Sequence, residues 1–240
     1  TSLPLQKKGS KYYNYLTPKL SFLINPSDMK NNSDTKRKIN NENIFDINRL
    51  GLTDSLETGK SLTVGLEYKK EKIEEINKYF EFKLATVFRH KEENFIPTTS
   101  TLNKKNSNLF GSLSNNFSDK FNIEYDFALD NSLNTFEYNK ISSTILLNNL
   151  VTEFSFIEEG GAIGSTNTFE NKSKYIFDEN NSISFKTRRN RKINLTEFYD
   201  LVYEYQNDCL TAGVKYNKTY YEDRDLKPTE DLIFTITLFP

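Results

Sequence analysis

The chain has 240 residues, 36% of them hydrophobic, with 32 basic against 33 acidic side chains and a net charge of −1. No run approaches the ~18 consecutive apolar residues of a membrane helix. The balanced charge offers no basic field for nucleic acid, and one Cys, one His and one Met leave little for metal or thiol chemistry. Aromatics nevertheless reach 14%, as 19 Phe and 14 Tyr with no Trp, which separates the chain from a disordered one.

Residues 1–10 are polar and contain no apolar stretch of a signal peptide, so the expectation is a mature chain or a fragment. Beyond them the dominant pattern is period-two alternation, the mark of a strand with one apolar face. Leu62, Val64, Leu66 and Tyr68 show it, followed by Phe80, Phe82, Leu84 and Phe88. Phe121, Ile123, Tyr125, Phe127 and Leu129 repeat it. Leu201, Tyr203 and Tyr205, then Ala212, Val214, Tyr216 and Tyr220, and finally Leu232, Phe234, Ile236 and Leu238 continue it to the end. Alternation and breakers together predict about twelve strands, at 11–25, 60–71, 78–90, 106–118, 121–130, 135–147, 150–158, 168–177, 181–188, 197–206, 209–222 and 230–239. Pro18 interrupts the first and implies a bulge or an unpaired position there. Few apolar residues, many of them aromatic and evenly spread, suit a wall that needs apolar side chains on its lipid side only.

The connections give a second test, because barrel turns alternate between short periplasmic and longer outer ones. With the C-terminus taken as periplasmic, 222–229, 187–196, 159–167, 130–134, 91–105 and 26–59 fall outside. The segments 207–208, 178–181, 148–149 and 118–120 fall inside, and only 72–77 is longer than an inner turn should be. The fold class is therefore expected to be all-β, an antiparallel transmembrane β-barrel. The alternative, a soluble β-sandwich or solenoid, also alternates but has strands nearer five or six residues.

The segment 41–60 is too polar for a wall strand, yet it holds Ile44, Phe45, Ile47 and Leu50. It reads either as a loop folded back into the lumen, with Arg49, Asp54 and Glu57 bonded to a polar inner wall, or as an ordinary surface loop. Its residues Asn41, Asn43, Phe45, Arg49, Gly51, Glu57 and Gly59 resemble a motif in the C-terminal barrel of the LptD (OstA) family of lipopolysaccharide-assembly proteins. The stretch 15–22 resembles the strand before that motif, 198–216 the family's penultimate hairpin with its cysteine, and 232–239 its closing strand. Two departures stand out: Cys209 is single where the family often has adjacent cysteines, and the arginine that commonly follows the loop glycine is missing from Leu52-Thr53-Asp54-Ser55.

The resemblance implies a fragment, residues 1–240 forming the C-terminal strands of a larger outer-membrane barrel. It implies that lipopolysaccharide passes through the lumen and a lateral seam, of which the closing strand, with Leu232, Phe234, Ile236, Leu238 and Phe239, is one side. Its implied partners are lipopolysaccharide, an LptE-like lipoprotein plug, the periplasmic Lpt bridge and the barrel-assembly machinery. Cys209, an exported single cysteine, reads as an intermolecular bond, a free thiol, a buried inert thiol or half of a disulfide to a segment outside the chain. The resemblance implies the last, with an N-terminal periplasmic domain. Arg188, Arg189, Arg191 and Lys192 form the one dense basic cluster, either a contact for lipopolysaccharide phosphates or a solvated outer loop. No catalytic residue, cofactor or metal is expected: His90 is the only histidine and no Ser motif marks a nucleophile beside it. The alternative function is a self-contained barrel, acting as a porin, a passive transporter or an outer-membrane enzyme.

Overall fold

The computed structural model describes residues 1–53, 55–220 and 227–239. Alternation becomes a single sheet of thirteen strands in which each neighbours the next in sequence, from β1 to β13. They are β1 Leu5–Lys8, β2 Tyr12–Asn25, β3 Gly59–Lys72, β4 Tyr79–Arg89, β5 Leu109–Ser118, β6 Phe121–Leu129 and β7 Phe136–Leu147. The rest are β8 Leu150–Glu159, β9 Asn167–Ile176, β10 Asn181–Asn190, β11 Leu195–Gln206, β12 Leu210–Thr219 and β13 Glu230–Leu238. All but one have nine or more residues, beyond the usual length in a soluble sheet.

The chain divides into two compact units. Unit 1 comprises Thr1–Ser118, Glu124–Lys140 and Glu158–Ser165. Its registers align the apolar alternates: Leu16 opposes Tyr68, Leu20 opposes Val64 and Phe22 opposes Leu62. Tyr68 in turn opposes Phe82, Leu66 opposes Leu84 and Leu62 opposes Phe88. Directly opposed residues share a face, so one face of β2–β4 is apolar and largely exposed. The other carries Lys19, Glu67, Glu81 and Lys83, with Lys19 paired to Glu67 at 2.5 Å and Lys83 to Glu81 at 2.8 Å. Against this polar face lie the two long connections, 26–58 and 90–108. The core sits there, where Met29, Ile39, Ile44, Leu50, Leu52, Ile96 and Leu102 meet Ala85, Val87, Phe110, Ala128 and Ile163.

Unit 2 comprises Asp119–Ile123, Ile141–Ile157 and Thr166–Pro240, and its faces are equally segregated. One row across five strands reads Tyr175, Ile183, Tyr203, Val214 and Phe234, and the next Ser173, Phe185, Leu201, Tyr216 and Leu232. Nothing in this unit is fully buried among the described residues.

Three expectations change. The short β1 carries no signal in the sequence, because Leu-Gln-Lys-Lys has one apolar residue and no alternation; a turn closed by Gly9 N–H on the Tyr12 carbonyl (2.8 Å) folds it onto β2. Pro18 causes no bulge: the β2–β3 register runs unbroken from Tyr12 to Asn25. Its carbonyl accepts the Leu3 N–H at 3.1 Å, so its missing donor faces β1, at the break between the Leu5–Leu16 pair and the isolated Ser2–Lys19 bridge; the unpaired position lies on that side alone. The expected outer loop 187–196 contracts to 191–194, since β10 continues to Asn190 and β11 begins at Leu195. A register shift between Arg188 and Arg189 absorbs the extra residue, and both arginines become strand residues. The expected strand end at 222 and most of the loop 222–229 lie outside the described residues, as do Asp54 and Pro240.

Candidate functional site: the strap on the polar face

Among its described residues the connection 26–58 has no strand partner, so most of its backbone groups need partners from turns and side chains. Asparagines do this. Asn40 Oδ1 accepts the N–H groups of Glu42 (2.9 Å) and Asn43 (3.1 Å), and Asn43 Oδ1 accepts that of Asn40 (2.9 Å). Asn48 accepts the Leu52 N–H at 3.1 Å and donates to its carbonyl at 2.7 Å, closing a turn whose Gly51 has φ of +60°. The resulting strap buries Ile44, Leu50 and Leu52 on one side. On the other it leaves Ile47 exposed. Phe45 rests on Gly65 of β3, where a Cβ would lie 2.6 Å from the ring. Only glycine gives the ring that space.

The strap is held by a buried ionic cluster. Arg49 donates to both oxygens of Glu57, at 2.6 Å each, in a bidentate pair. Its remaining donors reach the Ile44 carbonyl (3.3 Å), Thr63 Oγ1 (2.8 Å) and Ser61 Oγ (3.0 Å). All five guanidinium N–H groups are thereby used. Arg89, the last residue of β4, donates to the same Glu57 carboxylate and to the Thr58 carbonyl at 2.5 Å. The side chains of Arg49, Glu57 and Arg89 are each about 2% exposed. Gly59, at φ +90°, lets the backbone turn beside Arg89 Nη2, 3.1 Å from where a Cβ would stand. Two guanidiniums thus share one carboxylate inside low dielectric, and neither could lose that partner cheaply.

The structure brings Asn43, Phe45, Arg49, Gly51, Glu57 and Gly59 into this one assembly; Asp54 is outside the described residues. Arg89, Ser61, Thr63 and Gly65 were not singled out from the sequence. The signal existed: β3 and β4 alternate, so Ser61, Thr63 and Gly65 lie on the face opposite Leu62 and Val64, and Arg89 opposite Phe88. Beside the strap, 38–42 and the polar face of β4–β7 enclose a cavity of about 370 Å³. It is lined by both signs of charge, including Lys83, Glu124, Asp126 and Lys140. Lys38 of the strap closes one side on Glu159 at 2.5 Å.

The other expected residues stand apart from the strap. Cys209 is exposed on the turn between β11 and β12, its N–H on Asn207 Oδ1 at 2.9 Å. As the chain's only cysteine it has no disulfide partner within these 240 residues. Arg188 is committed to Glu197, so the basic cluster is not a uniform loop patch. In β13, Leu232, Phe234, Ile236 and Leu238 continue the apolar face from Tyr216, Val214, Ala212 and Leu210, and all are exposed, as is Phe239. Among the described residues no three His, Cys, Asp or Glu side chains are grouped to hold a metal ion.

The family model described as LPS transport system D, LptD, matches residues 1–155, which include the strap and every residue of its ionic cluster. Two solved structures, both mutants of a porin from Rh. blastica, are similar at 11% identity and a TM-score of 0.38. They cover 78% of this chain and 82% or 81% of the porin chain. The comparison with curated proteins gave no match.

Proposed function

Because this chain belongs to the LptD family, LPS transport system D, we propose that it forms part of a barrel wall through which lipopolysaccharide passes to the outer leaflet of the outer membrane. The family is one of transport, and the chain is not an enzyme. It belongs to an outer-membrane β-barrel. In the proposed arrangement the apolar rows, such as Tyr175–Ile183–Tyr203–Val214–Phe234, meet acyl chains. The polar face, with the strap and the charged cavity, lines the wet interior that carries the glycan.

The observation that carries this reading is the separation of faces: strand after strand is apolar and exposed on one side, and charged or covered by the strap on the other. β13 stands at the end of the strand order, with β12 as its one neighbour among the described residues. An unpaired ladder edge in hydrocarbon costs several kcal/mol per group, so β13 needs a partner strand, and a short or strained pairing there forms the lateral seam. An LptE-like plug, a periplasmic bridge, a cysteine partner for Cys209 and a periplasmic C-terminus complete the proposal, with the assembly machinery engaging during folding.

Photo-crosslinking tests it. A benzoylphenylalanine at Glu124 in the cavity should capture lipopolysaccharide in cells making it, and one at Phe185 on the apolar face should capture phospholipid. Absence of lipopolysaccharide capture at Glu124, in cells where the Phe185 position captures lipid, would sink the lumenal route. The self-contained barrel makes the opposite forecast: the isolated chain refolded in detergent gives a heat-modifiable monomer with an open pore.

A further inference from the structure

The apolar face of unit 2 ends in a change of chemistry. The row beyond Phe185, Leu201 and Tyr216 reads Asn171, Thr187, Tyr199, Lys218 and Glu230. One step further, Arg189 opposes Phe169, whose ring lies 6.2 Å from that of Phe154. Phe156 shares the Phe154 face, two residues along β8, and the Arg191 guanidinium stands over its ring at 5.5 Å. Arg189 and Arg191 therefore both reach the border of the apolar face, where long cationic side chains lay their stems on apolar surface and keep their heads wet.

Their neighbours are already neutralised. Lys218 holds Glu230 at 3.0 Å and Lys186, on the polar face, holds Glu170 at 3.2 Å. The register shift sets Glu197 out of line with β10, and it takes Arg188. Among the described residues the Arg189 side chain keeps the neutral Asn194 Oδ1, at 2.5 Å, and the Arg191 side chain the ring of Phe156. Among the described residues neither has a carboxylate partner. Two planar forks without a carboxylate among the described residues, one over the Phe156 ring and one on the strand position opposite Phe169, at the boundary of an apolar face, match an anionic group carried on acyl chains. Guanidinium pairs phosphate oxygens bidentately.

We propose that Arg189 and Arg191 clamp the phosphate of a lipid headgroup packed against the apolar face of unit 2. The inference rests on the reading that this face meets lipid. The test uses the full-length protein in phosphatidylcholine nanodiscs, with or without phosphatidic acid, and counts retained lipid by native mass spectrometry. The wild type should retain phosphatidic acid preferentially. Each of Arg189→Gln and Arg191→Gln should weaken retention about 5-fold, and the pair about 25-fold. Lys186→Gln, on the polar face, should leave it unchanged, and inorganic phosphate at the same concentration should not displace the lipid. Equal loss in Lys186→Gln, no loss in the double variant, or displacement by inorganic phosphate would each overturn the clamp. Since the chain has no Trp, Phe185→Trp in a background freed of other Trp reports the premise separately. Quenching by brominated acyl chains without phosphate preference defeats the clamp alone, and absent quenching defeats the lipid-facing reading itself.

Discussion

Every fully buried side chain, from Met29 to Ile163, belongs to unit 1, and unit 2 contributes none among the described residues. Both units have the same strand pattern, with apolar rows on one face and polar rows on the other. The difference is that unit 1 also has two long connections, 26–58 and 90–108, which cover its polar face and make a core with it. Unit 1 therefore has two sources of stability: burial of Ile44, Ile96 and Leu102 within protein, and whatever covers its apolar face. Unit 2 has only the second. A sheet with one apolar face is incomplete without a cover, and lipid supplies it at no cost in ordered chain.

Substitutions aimed at one unit should leave the other unmoved. Glu57→Ala should have the largest effect, about 3–5 kcal/mol, because it leaves two buried guanidiniums facing each other without their carboxylate. Limited proteolysis should then cut the strap while β10–β13 stay protected; simultaneous loss of both units would show them to be one cooperative body. Ile44→Ala should cost about 2–5 kcal/mol through the cavity it leaves, in detergent and bilayer alike. Phe234→Arg should cost about 2–4 kcal/mol in a bilayer and much less in unfolding assays where water can reach the face. If Ile44→Ala proved as solvent-dependent as Phe234→Arg, the contrast between a protein-built core and a lipid-built one would fail. Gly65→Val should cost about 1–3 kcal/mol by overpacking against Phe45, and Phe45→Ala in the same chain should recover part of it.

The smallest effect should be common to both units. The Asp130 carboxylate is held below its ordinary 3.8 by the N–H groups of Thr135 and Asn134. Asp178 is held below the same value by the Asn181 side chain and the Asn180 N–H. A carboxylate depressed in the folded state adds stability above its ordinary value and loses it as pH falls through the folded one. Amide protection factors, exchange rates corrected for the intrinsic pH dependence, should therefore fall together at residues 134–135 and 180–181 once pH drops below 3.8, and not between that value and neutrality.

The strand faces were determined by sequence alone. Side chains alternate strictly along a strand, so Leu62, Val64 and Leu66 declare a face without reference to any neighbour, and a meander needs only adjacent pairings. The strap motif was legible through its resemblance to the LptD family; the segment's polarity by itself excluded a wall strand and left a surface loop open. What tertiary structure decided is which wall residues the strap meets. Arg89 looks like an ordinary strand end until the fold brings it to Glu57 across 32 residues. Glu197 likewise shows no preference among the nearby arginines until the register shift hands it to Arg188 and leaves Arg189 without a carboxylate among the described residues. Alternation is a local property of the chain; the pairing of charges depends on which strands end side by side, and on register shifts that no short window of sequence records.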